Sequence, residues 1–206
     1  NKVKVAATAN VKKLNISVKR HFQKFENEDI TNNIVVLGIS TGGPSTLKQL
    51  LSLVKPELDF TMVVAIHITD MYSQKLCELL DEVCPYKVYT ADDGVKLKRG
   101  GIYLCSGNQN PELTFDNKIK FCGLQPKQIY VPSVDILFSS AARNIRGKRI
   151  LGLILTGMGN DGSKGITDLY NAGGTVVIQD EKSSVLYGMP KSAKATGKYH
   201  YESSIT

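Results

Sequence analysis

The 206-residue chain is 42% hydrophobic and 22% charged, a composition that is typical of one globular domain and argues against a disordered or fibrous protein. Its apolar runs, such as Gly152 to Leu155 and Met62 to Ile66, are far shorter than the roughly 20 residues that a membrane span needs. Because no charged and then apolar leader opens the chain, we expect a soluble, cytoplasmic protein without membrane insertion.

The net charge of +7 is concentrated in the first segment of the chain. Residues 1–25 contain seven basic residues and no acidic one, and since the whole chain holds 26 basic and 19 acidic residues, 19 of each remain in residues 26–206. The segment lacks interleaved aromatic residues and any nucleic-acid module, so we expect no nucleic-acid partner. We interpret residues 1–32 as a basic linker or tail, although an arm for an acidic partner stays open. Asn1 in place of Met suggests trimming of a longer chain, with another domain upstream.

From about residue 33 onward, short β-branched runs alternate with segments of helical periodicity, which predicts an α/β fold. The apolar run at 34–39 predicts a buried strand, and the apolar spacing at 47–54 predicts a helix with one buried face. A second strand at 62–66 precedes a second helix, for which Asp70 is a candidate N-cap. This strand and helix order implies parallel pairing.

Residues 86–125 change character and predict a β-rich excursion of hairpins at one edge of the sheet, with short alternating runs at 87–89, 102–105, 113–115 and 119–121. The parallel order then resumes with a helix capped by Ser133, a buried strand at 150–155, a helix at 162–171 and a strand at 175–179. The predicted fold class is therefore α/β: a doubly wound, mainly parallel sheet with helices on both faces and a β-hairpin excursion at one edge.

Three polar side chains are predicted to meet at one edge of this sheet. Ser40 and His67 directly follow the first two predicted strands, and Asp161 lies in the turn after the strand at 150–155. The carboxyl ends of parallel strands share one edge, where open α/β sheets build ligand sites. A serine hydroxyl is a weak nucleophile until an imidazole takes its proton and a carboxylate orients that imidazole. Backbone N–H groups at the glycine-rich turn can then stabilise an oxyanion.

Each of the three residues also has an ordinary structural explanation. Ser and Asp often begin helices, and a single His after a strand is often a hydrogen-bonded, buried side chain. The remaining histidines are His21, in the tail, and His200, near the end of the chain. His67 is therefore the best candidate base.

Two motifs support competing hypotheses. Residues 38–42 match the G-x-S-x-G nucleophile elbow of α/β-hydrolases, whose chain order of serine, acid and histidine requires Ser40, Asp161 and His200. Residues 157–162 match the G-x-G-x-x-G of dinucleotide-binding folds. That second motif comes too late in the chain for the usual fold, and Asp161 would face the pyrophosphate, so we expect no nucleotide cofactor.

The four cysteines of the chain lie singly, with no C-x-x-C pair. This spacing indicates neither a zinc site nor a disulfide framework, so we expect buried free thiols and no bound metal.

Four motifs, in this order along the chain, resemble the catalytic domain of the chemotaxis receptor methylesterases (CheB): GISTGG at 38–43, VPSVDILF at 131–138, LTGMGNDG at 155–162 and QDEKSSVLYGMP at 179–190. The resemblance covers roughly residues 33–196, and the order of several motifs makes it more specific than any one pattern. We therefore expect residues 33–206 to form a CheB-type catalytic domain.

The resemblance implies a serine esterase that hydrolyses glutamate γ-methyl esters on the cytoplasmic helices of chemoreceptors, releases methanol and also deamidates certain receptor glutamines. The family nucleophile, histidine and aspartate fall on Ser40, His67 and Asp161. Thr41 and the backbone N–H of Met158 match substrate or oxyanion contacts. An upstream receiver domain, whose phosphorylation relieves inhibition, is a further implied partner.

The chain departs from the family pattern in three loops. After His67 it continues with Ile68-Thr-Asp-Met71 where the family usually has a Met-Pro type continuation, and at 106–110 and 128–131 it lacks the His and Arg residues that family members often show. These departures leave the three proposed catalytic residues unchanged. They keep open an esterase or amidase with another substrate, and a non-catalytic adaptor that binds receptors.

Overall fold

Seven parallel strands form the main sheet of the structure, a computed structural model that describes residues 31–205. The predicted tail lies outside the described residues except for its last two. The described residues contain nine strands, of which β5 and β6 form a separate hairpin: β1 (Asn33–Ile39), β2 (Thr61–Ile66), β3 (Lys87–Thr90), β4 (Gly101–Cys105), β5 (Asn110–Leu113), β6 (Ile119–Cys122), β7 (Arg149–Ile154), β8 (Thr175–Gln179) and β9 (Tyr201–Ser203). The helices are α1 (Gly43–Leu53), α2 (Asp70–Val83), α3 (Val134–Asn144), α4 (Ser163–Asn171) and α5 (Met189–Ala195).

The helices cover both faces of the main sheet. Leu47 of α1 and Leu80 of α2 pack with alternate residues of β1 and β2 on one face. Phe138 of α3, Leu169 of α4 and Met189 of α5 pack with the other set of strand residues on the opposite face. The continuous apolar runs of the central strands are needed because both of their faces are buried. The predicted doubly wound α/β fold is confirmed.

The sheet order β3-β4-β2-β1-β7-β8-β9 places β1 between β2 and β7. In the parallel register, Ile39 pairs with Ile66, and Gly38 pairs with Ile154. The residues that follow these three strands therefore emerge side by side at one edge of the sheet, as the sequence predicts.

The excursion between β2 and α3 contains one hairpin and two strands of the main sheet. Only β5 and β6 pair in an antiparallel sense, whereas β3 and β4 join the main sheet in parallel. β4 is buried along its whole length, which suits a parallel strand with both faces covered better than a surface hairpin. The hairpin is held against α3, because the Leu113 N–H donates to Ser140 Oγ and Asn144 donates to the Leu113 carbonyl.

Other expectations concern helix ends, the last elements and the thiols. Ser133 is the N-cap of α3, as predicted, and its Oγ accepts the Ile136 N–H. The prediction that Asp70 is the N-cap of α2 is wrong, because the helix begins at Asp70 and Thr69 occupies the N-cap position in an extended conformation. The short α5 and β9 have no counterpart in the sequence prediction. The four thiols are free, and three of them are buried: Cys77, Cys84 and Cys105.

None of the helices between residues 31 and 205 is long and apolar enough to cross a membrane.

Candidate active site

Ser40 lies in the tight turn between β1 and α1. Its N–H donates to the Thr156 carbonyl across the β1–β7 pair (2.9 Å), and its own carbonyl accepts the Gly43 N–H (2.7 Å). Gly42 is the N-cap of α1 with φ of +80°, a left-handed conformation that glycine adopts without steric cost. The turn leaves Ser40 half-buried at the edge of the sheet. Its hydroxyl makes no hydrogen bond to any group within residues 31–205.

His67 is the neighbour of Ser40 on the adjacent strand. Its N–H donates to the Ile39 carbonyl (3.1 Å), which extends the β1–β2 ladder by one residue. Its side chain is 14% exposed, and Nε2 lies 2.9 Å from Asp161 Oδ2. A carboxylate accepts only, so Nε2 carries the proton of the neutral ring and Nδ1 is the nitrogen left to act as base.

Asp161 is buried and is held by the start of helix α3. Oδ2 accepts the Val134 N–H (2.7 Å), and Oδ1 accepts the Asp135 N–H (3.0 Å) and the Ser133 hydroxyl (3.2 Å). Such N–H groups at a helix N-terminus favour a negative charge. Asp161 therefore caps α3, which precedes it in the chain, instead of its own helix α4, and the same carboxylate orients His67.

Asp135 makes the converse contact with helix α4. Its carboxylate accepts the Gly165 N–H at 2.7 Å. Burial raises the pKa of the Asp135 carboxyl, and the nearby Asp161 charge raises it further, against the lowering effect of the α4 N–H groups. Asp161 therefore binds the N-terminus of α3, and Asp135, at the start of α3, binds the N-terminus of α4.

The loop after β7 contacts Ser40 and contains Met158, whose backbone N–H is a predicted substrate or oxyanion contact. A Cβ added at Gly157 would lie 2.7 Å from the Ser40 Cβ, so only glycine allows this approach. The backbone N–H groups of Thr41 and Met158 donate to no acceptor within the described residues. Thr41 follows Ser40 in the chain, and Met158 follows Gly157, the residue that contacts Ser40.

Comparison with known proteins identifies the family. The sequence profile described as CheB methylesterase matches residues 35–205. The chain belongs to the CheB methylesterase family. The crystal structure of the Thermotoga maritima CheB methylesterase catalytic domain superposes with a TM-score of 0.80 at 31% identity, covering 85% of this chain and 94% of that one.

Two CheB relatives show how much of the longer proteins this chain represents. A Myxococcus xanthus protein named protein-glutamate methylesterase/protein-glutamine glutaminase 5 is 39% identical over 168 residues, which cover 80% of this chain and 48% of that protein. A Treponema denticola protein-glutamate methylesterase/protein-glutamine glutaminase is 37% identical over 167 residues, covering 80% of this chain and 45% of that protein. The chain therefore spans about half the length of the relatives it matches.

The α/β-hydrolase order is wrong for this CheB-type fold, because His200 lies at the other end of the sheet. His200 Nδ1 accepts the Val176 N–H (3.1 Å), and its own N–H donates to the Val176 carbonyl (2.8 Å). Val176 lies near the amino end of β8, whereas Ser40 follows the carboxyl end of β1. A five-residue strand spans about 16 Å, so His200 cannot reach Ser40.

The glycines of the G-x-G-x-x-G motif at 157–162 lie in close contact with side chains of the protein itself. Added Cβ atoms would collide with Met189 at Gly157, with Tyr130 at Gly159 and with Ile154 at Gly162. The glycines therefore allow close packing inside the CheB fold instead of the approach of a pyrophosphate, and Asp161 points into the α3 N-terminus. Among residues 31–205, no group of three or more His, Cys, Asp or Glu side chains is placed to hold a metal ion.

Two residues that sequence reasoning did not single out support the site. Thr156 is fully buried, and its Oγ1 donates to the Thr41 carbonyl (2.9 Å) and accepts the Leu186 N–H (2.9 Å). Tyr130 stacks on His67, with ring centroids 5.6 Å apart and planes 3° apart. Thr156 lies in the LTGMGNDG motif at 155–162 and directly follows the predicted strand at 150–155. This position is a sequence signal that could have identified it. Tyr130 lies in an irregular loop with no periodic pattern to indicate its contact.

Proposed function

We propose that residues 33–206 form a serine esterase domain that hydrolyses glutamate γ-methyl esters on chemoreceptor cytoplasmic domains and releases methanol. Ser40 is the nucleophile, His67 the base and Asp161 the acid that orients it. The observation that carries this proposal is the 2.9 Å contact between His67 Nε2 and Asp161 Oδ2 at the edge of the sheet where Ser40 emerges. The two relatives, each named protein-glutamate methylesterase/protein-glutamine glutaminase, support both ester and glutamine substrates.

In the proposed reaction, Nδ1 of His67 takes the Ser40 proton as Oγ attacks the ester carbonyl. Asp161 stabilises the imidazolium that forms, and the Thr41 and Met158 N–H groups donate to the oxyanion of the tetrahedral intermediate. The imidazolium returns its proton to the departing methoxide, which leaves as methanol. Water, deprotonated by His67, then attacks the acyl-enzyme; the imidazolium gives that proton to the departing Ser40 Oγ, and the glutamic acid released ionises to a carboxylate. A glutamine amide follows the same steps with loss of ammonia.

The proposed setting follows the resemblance to the longer family members. We propose that the partner proteins are methylated chemoreceptors in the cytoplasm, and that a receiver domain upstream of residues 1–32 controls access to the site. In this proposal the basic segment is the linker between the two domains.

Methanol release from methylated chemoreceptor membranes tests the function. We expect turnover by the parent protein and at least about 10³-fold loss in Ser40→Ala and in His67→Ala, since each removes a step of one mechanism. His200→Ala is the matched control and should keep the parent rate. Receptor binding without turnover would favour the adaptor, and turnover of other methyl esters alone would favour a different substrate.

A further inference from the structure

The contact with Asp161 leaves the orientation of the His67 ring incompletely determined. One hydrogen bond, from Nε2 to Asp161 Oδ2 at 2.9 Å, fixes the position of one ring nitrogen. That bond does not by itself fix the plane of the ring, and so it does not fix the direction in which Nδ1 points. Because Ser40 makes no hydrogen bond within the described residues, the ring needs a second constraint from elsewhere.

Tyr130 supplies a contact of the required kind. Its ring is parallel to the imidazole within 3°, at a centroid separation of 5.6 Å. Offset stacking of this geometry is favourable for aromatic rings, and it restricts the plane of the imidazole, which the hydrogen bond leaves free. The two contacts together define both the position and the plane of the base.

Tyr130 is itself held from two sides. Gln128 Nε2 donates to the Tyr130 carbonyl and to Asn110 Oδ1, and Asn110 Oδ1 also accepts the Ser133 N–H at 2.9 Å. On the other side, a Cβ at Gly159 would collide with the Tyr130 hydroxyl. The clamp on Tyr130 therefore shares Ser133 with the hydrogen bonds that hold Asp161.

We propose that Tyr130 is a positioning residue that holds the His67 imidazole in the plane in which Nε2 bonds to Asp161 and Nδ1 is left available to Ser40. The inference rests on the proposed function for its kinetic consequence, but not for its structural one. The Tyr130 hydroxyl makes no hydrogen bond within residues 31–205, so the ring is the active part of the side chain. Tyr130 also lies in segment 128–131, where this chain departs from the family pattern.

The kinetic test compares Tyr130→Leu, which removes the ring, with Tyr130→Phe, which keeps it. We expect Tyr130→Leu to lower kcat on the methyl ester by about 10- to 100-fold with KM within about twofold, because a small misplacement of a base has effects of this size. Tyr130→Phe should stay within about twofold of the parent. Retained kcat in Tyr130→Leu, or equal losses in both variants, would overturn the proposal.

Tyr89→Leu is the matched control for loss of an aromatic stack. Tyr89 stacks on Tyr103 with centroids 5.3 Å apart, on the edge strand β3. The control should share any loss of thermal stability that comes from removing a ring, yet keep the parent kcat. If kcat fell equally in Tyr89→Leu, the effect of Tyr130→Leu would be explained by general destabilisation, and the positioning role would be refuted.

A ligand-free measurement separates this inference from the proposed function. The chain has three histidines, so ¹⁵N spectra of histidine-labelled protein can be assigned with single His variants. We expect His67 in the parent and in Tyr130→Phe to show one neutral tautomer, protonated at Nε2. Tyr130→Leu should show a second population or exchange-broadened nitrogens. Unchanged His67 signals in Tyr130→Leu would refute the positioning role, whatever the parent does to esters.

Discussion

Replacing Asp161 by Asn tests whether one carboxylate supports both the fold and the reaction. Asp161 accepts four hydrogen bonds, from His67, the Ser133 hydroxyl and the N–H groups of Val134 and Asp135. An Asn keeps one acceptor oxygen and places an NH₂ group against the other donors. Even if the Ser133 hydroxyl reverses its role, at least one N–H at the start of α3 then faces another donor.

The loss of unfolding free energy expected for Asp161→Asn follows from these contacts. A buried donor left without an acceptor costs about 1–3 kcal/mol, and loss of the negative charge at the α3 N-terminus costs about 0.3–2 kcal/mol. We therefore expect Asp161→Asn to lower the free energy of unfolding by roughly 2–4 kcal/mol. The variant also loses control of the imidazole tautomer, and the same replacement in a serine protease triad lowers kcat about 10⁴-fold.

Denaturant unfolding and methanol release measure the two effects of Asp161→Asn separately. Asp135→Asn is the matched control, because it changes an acid at the start of the neighbouring helix and keeps an oxygen for the Gly165 N–H. It should retain most of the parent activity. If Asp161→Asn lost less than tenfold in kcat, or kept the parent stability, the reasoning from its four contacts would be wrong.

Three further predictions concern the surroundings of the site. Burial raises the pKa of Asp135 above its ordinary 3.8, so ionisation of this carboxyl opposes folding. The stability of the parent relative to Asp135→Asn should therefore fall as the pH rises from that ordinary value through the raised pKa, as unfolding curves of both proteins from about pH 4 upward will show. Thr156→Val removes the buried hydroxyl that accepts the Leu186 N–H and donates to the Thr41 carbonyl, and it should cost about 0.5–1.5 kcal/mol of unfolding free energy in denaturant titrations. Gly157→Ala brings a Cβ to 2.7 Å from the Ser40 Cβ; we expect at least about tenfold loss of kcat in methanol release, and an unchanged rate would contradict that contact.

The part of the fold that builds the site is the part that local patterns predict well. Apolar runs identify β1, β2 and β7, the helical spacing between them implies parallel pairing, and parallel pairing brings their carboxyl ends to one edge. Ser133 is predicted as a cap because side-chain capping is a local interaction. The grouping of Ser40, His67 and Asp161 at one edge therefore follows from strand order alone.

The remaining features depend on contacts between segments distant in sequence. β3 and β4 have the short alternating pattern of hairpin strands, and only their neighbours in the sheet make them parallel. Asp161 meets the start of α3 across 27 residues of chain, with no local signature. Tyr130 reaches His67 from an irregular loop that is held by an amide pair, Asn110 and Gln128. No periodicity encodes such contacts, so they emerge only from the packed structure.

The way Asp161 is held also bears on why this arrangement suits an acyl-transfer reaction. Within the described residues, its only ion-pair partner is His67, and its other partners are a hydroxyl and two backbone N–H groups at a helix start. A lysine or arginine in the same place would hold the carboxylate equally well, but its full charge would oppose a second positive charge on the imidazole. Helix N–H groups carry only partial charges, so the carboxylate stays fixed while most of its charge remains available to an imidazolium. The stabilisation is therefore greatest when the proposed reaction transfers the Ser40 proton to His67, and the same contacts need no rearrangement at that moment.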